Sequence, residues 1–137
     1  MDRDTTIELR GNLFRHLDGI AITSTISALH NKGIIKFIID EKSFTIETIF
    51  NNFPSNHGYM NVALRLLSAQ GWLERKIHAG SEHIDFSLTD IGKSILAFSH
   101  VYTEVASLLK DVPLYRYKLF SAHYTYSHNY NNAVETI

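Results

Sequence analysis

The chain has no cysteine, and only two prolines, Pro54 and Pro113, among its 137 residues. Without thiols there is no disulfide, no thiolate nucleophile and no cysteine-ligated metal. With so little proline, long stretches are free to be helical. No apolar run reaches the ~20 residues that a bilayer-spanning helix needs. The opening MDRDTTIELR is charged and polar, lacking the apolar stretch and cleavage pattern of a signal peptide. The expected location is therefore the cytoplasm. Neither sign of charge dominates, with 13 Lys and Arg against 14 Asp and Glu. A domain devoted to DNA usually carries a basic excess, so nucleic acid is expected to be an unlikely partner. No serine lies in a glycine-flanked, strained elbow. No catalytic, cofactor-binding or metal-ligating residue is assigned.

What is present is the material of one mainly helical domain. Leu9, Leu13, Phe14 and Leu17 recur at helical spacing over 5–17, and Gly19 is expected to interrupt that helix. A second helix, with Ile22, Ile26 and Leu29 on one side, is expected to run to the Asn31-Lys32-Gly33 stop. The run 34–39 suits either a helix or a strand. Thr45 caps a short helix that Pro54 ends, and Ser55 is read as the cap of the next, which runs to Gln70. Gly71 stops it. Residues 72–77 and 83–88 then alternate as two strands joined by the turn 79–82, forming a wing. Thr89 caps a last helix in which Ile91, Ile95, Phe98, Tyr102, Val105 and Leu109 make one stripe of about five turns.

The expected fold is thus mainly α: a helical arm, a winged helix with a two-stranded β-hairpin wing, and a long C-terminal helix. The expected division is 1–42 for the arm, 43–92 for the winged helix, and 93–137 for the long helix and an aromatic tail, all within one continuous domain. The tail carries Tyr115, Tyr117, Phe120, Tyr124, Tyr126 and Tyr130, suited to covering an apolar surface of a partner or a following domain.

Three segments carry a family likeness. They are ALHNKGIIKFI at 28–38, LRLLSAQGWLER at 64–75 and FSLTDIGKSIL at 86–96. Together, over roughly residues 8–110, they resemble the N-terminal winged-helix dimerisation domain of class I S-adenosylmethionine-dependent O-methyltransferases. Ile35 and Lys36 stand where that family commonly has a Phe-Asp pair. The resemblance implies a homodimer whose arm helps to wall the acceptor pocket of the other subunit. It also implies a catalytic Rossmann-like domain with a glycine-rich cofactor loop. The last glycine here is Gly92, and residues 93–137 are too few for that sheet. The expectation is a non-catalytic domain or subunit, possessing no cofactor itself, with S-adenosylmethionine held by a parent or partner methyltransferase.

The exposed stripes are expected to form the dimer interface: Leu9, Leu13, Phe14 and Leu17 from the arm, and Ile95, Phe98, Tyr102, Val105 and Leu109 from the last helix. Such an interface would bury on the order of 2,000 Å² or more. The alternative function is a small winged-helix transcription regulator. Its DNA contacts would come from Arg65 on the helix 55–70 and from Arg75 and Lys76 on the wing. Glu74, Glu82 and Asp85 balance these three cations in number. His78 and His83, with Asp85 or Glu82, flank the wing turn but match no recognised metal spacing. His123 and His128 lie in the tail, and the remaining histidines are expected to pack or face water.

Overall fold

The computed structural model describes residues 1–80 and 83–109. Its elements are α1 (Arg3–Asn31), α2 (Ile34–Glu41), β1 (Ser43–Thr45), α3 (Ile46–Asn52), α4 (His57–Ala69), β2 (Leu73–Ile77), β3 (Ile84–Leu88), α5 (Asp90–Leu96) and α6 (Ser99–Ala106). The strands form one antiparallel sheet in the order β1-β3-β2. The succession α2, β1, α3, α4 and then the β2–β3 hairpin is a winged helix, preceded by the long α1. Among the described residues no helix is long and apolar enough to cross a membrane.

Helix α1 starts at Asp2, whose carboxylate accepts the Thr5 N–H at 2.7 Å. That hydrogen bond holds the Asp2 carboxyl below its usual range. Gly19 does not interrupt the helix, contrary to the sequence expectation. The backbone continues through both Gly11 and Gly19, each with open space where a Cβ would stand. Glycine in a helix interior is nevertheless less favourable than alanine by about 1 kcal/mol. The helix ends where Gly33 adopts φ +80° and its N–H donates to the His30 carbonyl. The run from Ile34 is helical, and buries Ile34, Ile35 and Ile38.

The core gathers around α2. Ile26 and Leu29 of α1, Ile49 of α3, Leu64 and Leu67 of α4, Phe86 of β3 and Leu96 of α5 meet there, all nearly or fully buried. Phe44 stacks on Phe86 with ring centroids 5.5 Å apart, because β1 pairs Phe44 directly with Phe86. This third strand was not expected from the sequence. Three residues are too few to show alternation, and their partner lies about forty positions away in the chain. The wing is therefore part of a three-stranded sheet.

Two turns lock the wing to the helices. Helix α4 closes with Gly71 at φ +76°. The Trp72 N–H donates to the Leu67 carbonyl and the Gly71 N–H to the Ser68 carbonyl, the paired bonds of a Schellman stop. Thr89 then docks on this stop. Its hydroxyl lies 2.7 Å from the Gly71 carbonyl and 3.1 Å from the Trp72 carbonyl. Its N–H donates to that Trp72 carbonyl, and its oxygen accepts the Gly92 N–H at 3.0 Å. Gly92 lies so close that a Cβ there would stand 2.0 Å from the Trp72 carbonyl oxygen.

Two further expectations change. Asn56, not Ser55, caps α4: its side chain accepts the Tyr59 N–H at 3.1 Å. The Ser55 hydroxyl instead donates to the Phe53 carbonyl across Pro54, which moves the helix start one residue on. The long C-terminal helix is broken at Ala97 and Phe98 into α5 and α6. The start of α5 is fixed at Trp72, whereas α6 lies along α1, where the Ser99 hydroxyl and His30 Nδ1 are 2.7 Å apart. One straight helix does not meet both constraints. The expected Pro113 break and the aromatic tail lie outside the described residues.

Replacing Gly92 by alanine is expected to destabilise the fold by about 3 kcal/mol or more, since backbone rather than a flexible side chain blocks the new methyl. Gly11→Ala, with open space around it, is expected to leave stability unchanged or raise it by up to about 1 kcal/mol. Urea titration followed by the fluorescence of the single tryptophan, Trp72, measures both.

Candidate functional site

Three surfaces hold the residues that the sequence singled out. The first is the arm. Every residue of α1 before Ile22 is exposed, apart from the half-buried Thr6, so about 28 Å of helix stands clear of the core at 1.5 Å per residue. Leu9, Leu13, Phe14 and Leu17 are 51–56% exposed, and Ile7 and Ile20 are as open. Ile22, Ile26 and Leu29 face the core from the opposite side of the same helix. Apolar residues thus occupy two sides of α1, one in each half.

The second surface is the outer side of α4. Met60, Leu64 and Leu67 point inward. At about 100° per residue, the outward residues separate into two strips. Asn61 and Arg65 form a polar strip and are exposed. Tyr59 and Val62, 80% and 62% exposed, form an apolar strip. The apolar strip borders a groove that Ser24, Thr25 and Ala28 of α1 complete.

The third surface is the wing. Pairing sets Arg75 opposite Phe86 and Lys76 opposite Asp85. Strand alternation then divides the charges. Glu74, Lys76 and Asp85 lie on one face, which His78 joins by contacting the Asp85 carboxylate. Arg75 stands on the other face, alongside Leu73 and Ile77. The sequence tally of cations against acids therefore pooled groups that the sheet separates. Glu82, one of the three acids counted, lies outside the described residues. Arg65 and Arg75 have no ion pair among the described residues, and both are exposed.

The remaining expected interface residues sit differently. Ile95 and Tyr102 pack against the core, and Tyr102 meets Trp72 edge to face with centroids 6.5 Å apart. Burial raises the Tyr102 phenol above its ordinary range. Phe98 is 40% exposed, while Val105 and Leu109 are half-buried. The break at Ala97 and Phe98 means that these five do not make one continuous stripe. Ile95, Phe98, Tyr102 and Val105 instead line an apolar cleft with Thr23 of α1. Among the described residues no three histidine, aspartate or glutamate side chains converge on a point where a metal could sit. The sequence reading missed the groove and its Tyr59 and Val62 wall. The signal was present as two apolar residues on the side of α4 away from Leu64.

The family model described as the AprA N-terminal domain matches residues 9–75, which include most of the arm, α4 and the start of the wing. No curated protein sequence matches the chain. Among solved structures, the overoxidised AbfR bound to DNA is similar at a TM-score of 0.44 and 14% identity, covering 87% of this chain and 100% of that one. The reduced AbfR bound to DNA follows at 0.43 and 15%, covering 86% and 94%. Both of those proteins were solved bound to DNA, whereas the charge balance of this chain alone makes nucleic acid an unlikely partner. The winged-helix part of the resemblance drawn from the sequence holds in the structure.

The side chains of His78 and Asp85 are each 43% exposed, and an ion pair so open to water contributes about 0–1 kcal/mol. His78→Ala is therefore expected to lower stability by less than about 1 kcal/mol in urea titration. A loss of several kcal/mol would show that the pair holds the wing in place.

Proposed function

We propose that this chain is a dimeric winged-helix domain of the regulator type, in which two copies associate through α1 and each presents α4 and its wing to a nucleic-acid duplex. The observation that carries the proposal is the placement of its cations. Arg65 projects from the polar strip of α4, beside Asn61. Among the described charged residues of the two strands, Arg75 has a sheet face to itself. Lys76 is exposed on the other face. Arginine and lysine so placed can meet phosphates, and asparagine and arginine on the helix can reach base edges. The groove-facing strip of α4, carrying Tyr59 and Val62, is left for protein contact.

A second reading is supported by the extent of apolar surface. The arm stripe, with Tyr59 and Val62, leaves several large apolar side chains more than half exposed. Such surface also suits a non-catalytic domain that dimerises, and supports the acceptor pocket of a methyltransferase, with S-adenosylmethionine bound elsewhere in that assembly.

Titration of a fluorescent random-sequence duplex separates the two readings. Three cations per copy, six per dimer, imply that log K falls with log salt concentration with a slope of about −5. Arg65→Ala together with Arg75→Ala should weaken binding and flatten the slope by about 3.6. Absence of salt-dependent binding at about 50 mM salt would overturn the regulator reading and leave the scaffold reading standing.

A further inference from the structure

The bulk of the side chains is graded along the exposed side of α1. Large apolar side chains crowd the first part of the exposed side: Leu9, Leu13, Phe14 and Leu17. Small ones follow on the same side: Ala21, Ser24 and Ala28. At about 100° per residue, Leu13, Leu17, Ala21 and Ala28 fall within about 80° of one another around the helix. They therefore make one strip, bulky at the free end and shallow where the helix meets α4. The shallow end opens into the groove walled by Tyr59 and Val62, with a volume of about 350 Å³.

We infer that the arm of a second copy lies antiparallel on this strip, with Leu17 at the two-fold axis, and that its free end fills the groove between α1 and α4. This inference rests on the dimer named in the proposed function and specifies its register. A pairing centred on Leu17 sets Leu13 against Ala21 of the second copy, Phe14 against Ile20, and Leu9 against Thr25. Leu13 thus meets the small Ala21 on each side of the axis, Phe14 meets Ile20 as an apolar pair, Arg10 falls opposite Ser24, and Leu17 meets its own copy in the middle. The same register sets His16 against Asp18, a pairing of histidine with carboxylate that occurs twice by symmetry. A parallel pairing would instead stack Leu13 on Leu13 and Ala21 on Ala21, leaving the groove empty. The second copy also supplies what the arm lacks, since a helix projecting into water with two interior glycines has little of its own to hold it. The covered strip is the one that holds Tyr59 and Val62. Asn61 and Arg65 remain open on the other strip of α4.

The absence of cysteine makes the test direct. Under oxidation, Leu17→Cys should cross-link nearly all of the protein into a covalent dimer. Leu9→Cys should not, because the two copies of residue 9 lie about 24 Å apart along the axis, far beyond the ~7 Å limit between Cα atoms of a disulfide. Leu13→Cys mixed with Ala21→Cys should cross-link where neither does alone. The altered residues are exposed, and unchanged Trp72 fluorescence confirms that each variant has folded. Equal cross-linking of Leu9→Cys and Leu17→Cys would mean a parallel pair and would overturn the register alone. A dimer by light scattering in which Leu17→Cys gives no cross-link would do the same. A monomer at tens of micromolar would overturn both the register and the dimer of the proposed function. The duplex titration tests nucleic-acid binding separately.

Discussion

The structure depends on the seating of Thr89 and Gly92 against the end of α4. The hydroxyl and N–H of Thr89 address the carbonyls of Gly71 and Trp72. The missing side chain of Gly92 lets α5 close on the Trp72 backbone. This joint ties the last turn of α4 to the first turn of α5, and so fixes both ends of the hairpin between them. With its ends fixed, β3 lies between β1 and β2, and Phe86 enters the core beneath Phe44. The angle at which α4 stands on the core, and hence which of its strips faces outward, follows from the same contact. Polar bonds and a close backbone approach are combined here because neither alone would set a unique position. The hydroxyl gives direction, and the glycine gives distance.

With α4 fixed in this way, the functional surfaces divide by geometry rather than by composition. A net charge near zero conceals a segregated arrangement. The pleat of the hairpin puts Arg75 on one side and Asp85 on the other, and α4 carries Arg65 away from both. The apolar residues divide likewise. Those of the later part of α1 go to the core, and those of the earlier part stay in water. Apolar residues therefore lie on two opposed sides of α1, and the chain's own core takes up only one of the two sets.

Much of the architecture was legible in the sequence because local signals carry it. Thr45 and Thr89 cap helices, as their position before apolar periodicity implies. Gly71 stops α4, and Ile84, Phe86 and Leu88 alternate as expected. Features that depend on distant partners were not legible. Strand β1 exists because Ser87, Phe86 and Asp85 are there to pair with it. The break at Ala97 and Phe98 exists because α1 draws α6 to itself through packing and the His30–Ser99 bond. Gly19 suggests an interruption by propensity alone, yet α1 runs through it unbroken. For the site, the residue types were visible, but their faces were not. Arg75 and Lys76 are neighbours in sequence and lie on opposite sides of a sheet, so counting charges along the chain does not show which of them share a surface.

The central claim is that the polar strip of α4 and the wing face a duplex while the arm stays covered by a second copy. Hydrogen exchange of the dimer at about 50 mM salt, with and without a random-sequence duplex, addresses it directly. The account predicts that amides at 56–65 and 74–77 slow on adding the duplex, whereas those at 5–21 are already slow and do not change. Unaltered exchange in α4 and the wing, or fast exchange throughout the arm, would contradict it.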